Sequence, residues 1–138
     1  MIVVDANLMI TMVSGDVRGN LVLQKFNEWL GRQIELHAPG LAQYEVANGI
    51  ARLVATGKIT ADKITGLCHQ IELLPVTYHK LTNASRAVEI AITLKRQNAY
   101  DASYLALAES LGAELWTLDG PLYRNASLQG FPVKLLSQ

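Results

Sequence analysis

Short apolar runs alternate along the chain with longer stretches in which apolar residues recur every three or four positions. The short runs, Ile2 to Val4, Gln33 to His37, Pro75 to Tyr78, Leu115 to Leu118 and Val133 to Leu135, predict strands. Glu35 makes the second the weakest of them. Between them the three- and four-residue period predicts helices over Ala6 to Val13, Leu21 to Leu30, Leu41 to Thr56, Thr60 to Glu72, Leu81 to Lys95 and Asp101 to Leu111, with a short one over Leu122 to Ala126. Punctuation agrees: Pro39 and Gly40 end a strand and open a helix, Gly57 and Gly112 stop helices, Thr60 can cap one, and Gly120 with Pro121 turns the chain. Ile64, Leu67, Cys68, Ile71 and Leu74 form one inward stripe, and Ala84, Ala87, Val88, Ala91 and Leu94 another. Buried strands separated by helices predict an α/β fold of three layers, a central and mainly parallel sheet of about five strands flanked by helices. No repeat, low-complexity tract or linker interrupts the pattern, so residues 1–138 are expected to form a single domain.

Composition narrows the function. Half of the 138 residues are apolar, enough for a sizeable core. The 12 basic and 12 acidic residues cancel, which argues against a protein that holds nucleic acid by charge alone. It leaves open an enzyme that grips phosphate through a bound cation. Cys68 is the only cysteine, so no disulfide framework or cysteine zinc site is available, and it is expected to be a buried thiol. The opening MIVVDANLMI lacks the basic start of a secretory signal, and no apolar run approaches the roughly 20 residues of a membrane span. A soluble cytoplasmic protein is the expectation.

Four acids stand out once the elements are placed. Asp5, Asp101 and Asp119 each precede a helix or turn, and alone each reads as an N-cap. Glu45 lies one turn inside a helix beside Asn48 and Arg52, opposite Val46, Ile50 and Leu53, and alone reads as part of a solvated face. In a doubly wound sheet, however, the carboxyl ends of the strands open onto one crevice, where all four can converge. Like charges gathered there raise one another's pKa, and a divalent cation is the natural counter-charge. A site of carboxylates without Cys or His favours Mg²⁺ or Mn²⁺ over zinc, and the chemistry such an ion suits is phosphodiester hydrolysis. Asn7 and Thr117, each two residues from an acid, are placed to orient carboxylates or metal-bound water. Arg18, Arg52, Lys95, Arg96 and Arg124 fall near the crevice segments and are candidates to bind substrate phosphate, although cations at helix ends are ordinarily solvated.

The segments VVDAN, YEVANGI, AYDASYLALAESLGA and LWTLD, taken in order and spacing, resemble the successive acidic motifs of PIN-domain nucleases, in particular the small VapC-type toxins of toxin–antitoxin pairs. The resemblance implies a PIN-like fold over the whole chain. It implies that Asp5, Glu45, Asp101 and Asp119 bind metal, with Asn7 and Thr117 in polar supporting positions. It further implies a Mg²⁺- or Mn²⁺-dependent ribonuclease toxin, a homodimer, a cognate antitoxin that inserts a peptide into the active-site groove, and a cytoplasmic RNA substrate. Some members carry a further acid after the last motif. Here the stretch reads GPLYRN, so either Asn125 stands in for it or the site uses fewer ligands.

Other readings fit less well. A phosphoacceptor signalling domain needs an aspartate after its third strand and an acidic pair after its first, and PVTYH and the lone Asp5 supply neither. A metal-free ribonuclease needs a histidine pair. His37 and His79 both end predicted strands, but nothing in the sequence places them together, and His69 sits on a helix flank. A catalytically silent interaction module would not need all four acids. A PIN-fold nuclease of RNA processing, or one acting on DNA, is not separated from a toxin by sequence.

Overall fold

The structure is a computed structural model describing residues 1–137. Strands β1 (Ile2–Val4), β2 (Leu36–Pro39), β3 (Val76–His79), β4 (Glu114–Thr117) and β5 (Val133–Leu135) form one sheet in the order β3-β2-β1-β4-β5. Every pairing is parallel. Helices α1 (Ala6–Val13), α2 (Gly19–Gly31), α3 (Leu41–Ala55), α4 (Ile64–Glu72), α5 (Ala84–Thr93), α6 (Tyr100–Leu111) and α7 (Gly120–Leu128) flank it. Central β1 is apolar throughout because both of its faces are covered, and Val3 and Val4 are completely buried. Phe26, Leu8, Met9, Leu36, Ile90, Leu105 and Leu115 complete the inner core.

The chain steps outward from β1 to β2 and β3, then returns past β1 to lay down β4 and β5. A crevice therefore opens where the two directions part, at the carboxyl ends of β1 and β4. Helix α6 packs against β1, β2 and β4 and beside α5, while α1 packs against α2, α3 and α4.

Several boundaries differ from the sequence pattern. The second strand starts at Leu36 rather than Gln33, because Gln33 is left-handed (φ 58°) and Ile34 N still bonds Trp29 O at 2.9 Å, closing the end of α2. Pro39 ends that strand from inside it. β1 pairs only with Leu36 and His37, so the missing Pro39 N–H costs no ladder bond on that side. Thr60 opens a 3₁₀ turn, Ala61–Lys63, with no side-chain cap bond, and α4 proper begins at Ile64. Helix α5 is shorter than expected: Asn83 caps its start by accepting from Arg86 N at 3.0 Å, and Lys95 turns left-handed (φ 57°) past its end. Its buried stripe is Ala87, Ile90, Ala91 and Leu94, whereas Val88 is half exposed. Cys68 is half-buried at the edge of the core instead of fully enclosed. Among the described residues, no helix is long and apolar enough to cross a membrane.

Candidate active site

Asp5 follows β1 directly. Its backbone is extended, and its Oδ1 accepts from Leu8 N at 3.0 Å, capping α1. Its Oδ2 accepts from the Thr117 hydroxyl at 2.6 Å. Thr117 is the last residue of β4 and wholly buried, and its Oγ1 also accepts from Asp119 N at 3.0 Å. One hydroxyl thus ties the carboxyl ends of β1 and β4 together. Asp119 caps α7 by accepting from Leu122 N at 3.0 Å. Capping and a role in the crevice are therefore compatible, since each cap bond uses one lone pair of one oxygen.

Glu45 projects from α3, half-buried, and its Oε1 accepts from the Tyr104 hydroxyl at 2.6 Å. That phenol, 4% exposed, accepts in turn from Ala6 N at 3.2 Å. Asp101 lies in the first turn of α6 but is not its cap; Ala99 holds that position without a side-chain bond. Helix capping accordingly does not explain Asp101. Tyr104 was not singled out by sequence reasoning. The available signal was its position three residues after Asp101, on the same side of the helix.

Asp5, Glu45, Asp101 and Tyr104 line a single cleft of about 30 Å³, with Asn7 exposed at its rim. Asp119 does not line that cleft but raises the pKa of Asp101 from beside it. Burial pushes Asp5 from its ordinary 3.8 up to about 6. The bonds from Thr117 and Leu8 pull it down, and the nearby Glu45 and Asp101 charges raise it further. Burial also raises Asp101, against the pull of Arg96. The Tyr104 phenol is driven well above its usual range by burial and by its bond to Glu45, so it stays a protonated donor.

These side chains form an all-oxygen donor set, in which Asp5 is raised mainly by burial, with the Glu45 and Asp101 charges adding to it. Among the described residues, no three acids, histidines or cysteines close tightly around one point. Magnesium-type ions keep several waters and need few direct carboxylates, so the donor chemistry fits such an ion.

The candidate phosphate-binding cations are spread out. Arg18 is bonded to Asp16 through Nε and Nη2, both at 3.1 Å. Arg52 is exposed in the last turn of α3, at the end remote from Glu45. The Arg124 guanidinium lies over Gly120, next to Asp119, and Arg96 is near enough to Asp101 to affect its titration. Lys95 is exposed in its left-handed turn. The Asn125 amide donates to Leu94 O at 2.9 Å, which commits it to holding α7 against the end of α5.

The structure does bring His37 and His79 together, with Nδ1 of one 2.8 Å from Nε2 of the other and Glu35 Oε1 3.2 Å from the far nitrogen of His37. The β2–β3 register, with His37 opposite Thr77 and Pro39 opposite His79, creates this contact, and sequence spacing could not reveal it. A larger cavity of about 550 Å³ lies along α6 beside Tyr100, Ser103 and Leu107, and contains none of the four acids. Its Glu109 is held by Arg86 at 2.8 Å. Size would favour that cavity, whereas chemistry favours the small cleft.

The PIN domain family matches residues 2–128 of the chain. The VapC ribonuclease Mb0985 of Mycobacterium bovis and ribonuclease VapC9 of Mycobacterium tuberculosis are each 32% identical to it over 120 residues, 86% of this chain and 86% of theirs. Ribonuclease VapC3 of Pyrobaculum aerophilum is 33% identical over 94 residues, 64% of this chain and 69% of its own. The crystal structure of PAE2754 from Pyrobaculum aerophilum shares the fold, with a TM-score of 0.67 at 20% identity, over 89% of this chain and 77% of that one. The chain belongs to the PIN-domain family. Within that family, the relatives just described that match over most of their length carry the VapC name.

Proposed function

We propose that the chain is a divalent-metal-dependent endoribonuclease, the toxin of a toxin–antitoxin pair, with Asp5, Glu45, Asp101 and Asp119 holding Mg²⁺ or Mn²⁺. The observation that carries this reading is the meeting of Asp5, Glu45 and Asp101 in one cleft where Asp5 is pushed up to about 6. The ribonuclease names of the VapC relatives support the same chemistry and substrate. When bound, the ion supplies a Lewis acid for a phosphoryl oxygen and makes its bound water more acidic. The chain's own residues hold and orient. Thr117 fixes Asp5 relative to Asp119, and Tyr104 meets Glu45. Arg96, near enough to Asp101 to affect its titration, and Arg124, whose guanidinium lies over Gly120, would supply local positive charge for substrate phosphates. With a net charge of zero, the chain must hold RNA through these local cations and the metal. A homodimer and a cognate antitoxin that occupies the groove belong to the same proposal.

Histidine catalysis is the rival that the His37–His79 contact raises. The two rings direct their facing nitrogens at each other and His37 spends its second on Glu35, which leaves no acid–base pair free to flank a phosphate.

The test is cleavage of RNA by purified protein and by its Asp101→Asn variant, with Mg²⁺ or Mn²⁺ and with chelator. The variant should keep its melting transition and lose activity by on the order of 100-fold or more. Full activity in the variant, or chelator-resistant cleavage that leaves cyclic phosphate ends, would overturn the reading. Preference for DNA would move the chain to a different PIN-fold role.

A further inference from the structure

Three of the four acids are placed by the start of a helix: Asp5 and Asp119 as caps, and Asp101 in the first turn of α6. Glu45 differs. It lies inside α3 on a longer, more flexible side chain, with no orphan amide of its own helix to hold it. The Tyr104 hydroxyl reaches it from α6 at 2.6 Å, the short distance of a hydrogen bond to an ionised acceptor. A phenol has a single proton. Because its oxygen accepts from Ala6 N at 3.2 Å, that proton points to Glu45. Ala6 opens α1 immediately after Asp5, while Tyr104 shares α6 with Asp101. One buried oxygen therefore fastens together the three elements that carry Asp5, Glu45 and Asp101.

We propose that Tyr104 is a positioning residue of the acidic cleft, fixing the Glu45 carboxylate through Oε1 against the start of α1 and leaving Oε2 for the divalent cation. The inference rests on the metal-dependent reading and adds a residue that does not itself touch metal or substrate. Two consequences distinguish it from a tyrosine that merely fills the core. Removing the hydroxyl weakens metal binding in the absence of RNA, and it does so only while Glu45 is present.

The experiment is calorimetric titration of Mn²⁺ into the full-length protein without RNA, for wild type, Tyr104→Phe, Glu45→Ala and the double variant, with Asp101→Asn as reference. Tyr104→Phe should lower Mn²⁺ affinity about tenfold. With saturating metal it should lower kcat by a similar factor while KM for a short RNA stays within about twofold. In the Glu45→Ala background the same substitution should change affinity by less than about twofold. Ala6→Pro, which removes the amide that orients the phenol at a first helical position where proline is tolerated, should lower Mn²⁺ affinity in the same direction even if Tyr104→Phe fails to fold. Unchanged Mn²⁺ affinity in Tyr104→Phe or Ala6→Pro, alongside its loss in Asp101→Asn, would overturn the positioning role alone. Failure of the wild-type protein to bind Mn²⁺ would overturn both this proposal and the metal-dependent reading.

Discussion

Asp5 takes two hydrogen bonds that favour its charged form, yet burial and the nearby Glu45 and Asp101 outweigh them and leave it at about 6. The folded protein therefore holds this proton more tightly than the unfolded chain, whose carboxyl stays near 3.8. Stability from this group is fully present below about pH 4 and is lost as pH rises through about 6, by about 3 kcal/mol. In chelator, the metal-free protein should lose stability across that window, and Asp5→Asn should flatten the decline. Urea melts of both proteins at several pH values measure it, and parallel curves would count against a buried, charge-crowded Asp5. Alone, each acid reads in the sequence as a cap or part of a solvated face, and the four became candidates together only through the topology of strand ends and the resemblance to PIN-domain motifs. Tyr104 was not legible, since its partner Glu45 is 59 residues away and a tyrosine inside a helix reads as core. His37 and His79 were weighed as a pair, but their contact was not legible for the same reason, being made only by the pairing of two strands.

Among the secondary-structure elements, the cleft depends on how closely α1 approaches α3. A side chain at Gly49, one turn after Glu45, would run into the tip of Ile10 on α1. Gly49→Val, with its branched side chain, should force the helices apart, at a cost of about 1–3 kcal/mol. It should also reduce RNA cleavage by pulling Glu45 away from Tyr104, while Gly49→Ala should be milder because the Ile10 tip can turn aside. Thermal melts with matched activity assays check this, and a valine variant with wild-type melting and activity would contradict it. Helix α6 ends where the sequence placed its end, because left-handed Gly112 gives an unambiguous stop. Helix α5 was overextended because Leu81 and Leu94 continue its apolar rhythm at either end, whereas the Asn83 cap and the left-handed Lys95 decide its ends. Thr60 misled in the opposite sense, as a good capping residue that opens a 3₁₀ turn.

At the scale of the molecule, the strand order creates the site. Asp5 and Asp119 follow β1 and β4, which are neighbours in the sheet although their sequences lie far apart, and the return of the chain past β1 opens the crevice between them. Alternating strand and helix signals were enough to predict the class of fold. They could not predict which strands adjoin, so the convergence of the acids was inferred from topology rules. On the proposed function, this crevice gathers a divalent cation. Crystals grown with Mn²⁺ and recorded at a wavelength where manganese scatters anomalously test it directly. An anomalous peak is expected in the cleft among Asp5, Glu45 and Asp101, absent from crystals of Asp101→Asn. A peak elsewhere on the molecule, or none in crystals of protein that cleaves RNA under the same conditions, would contradict it.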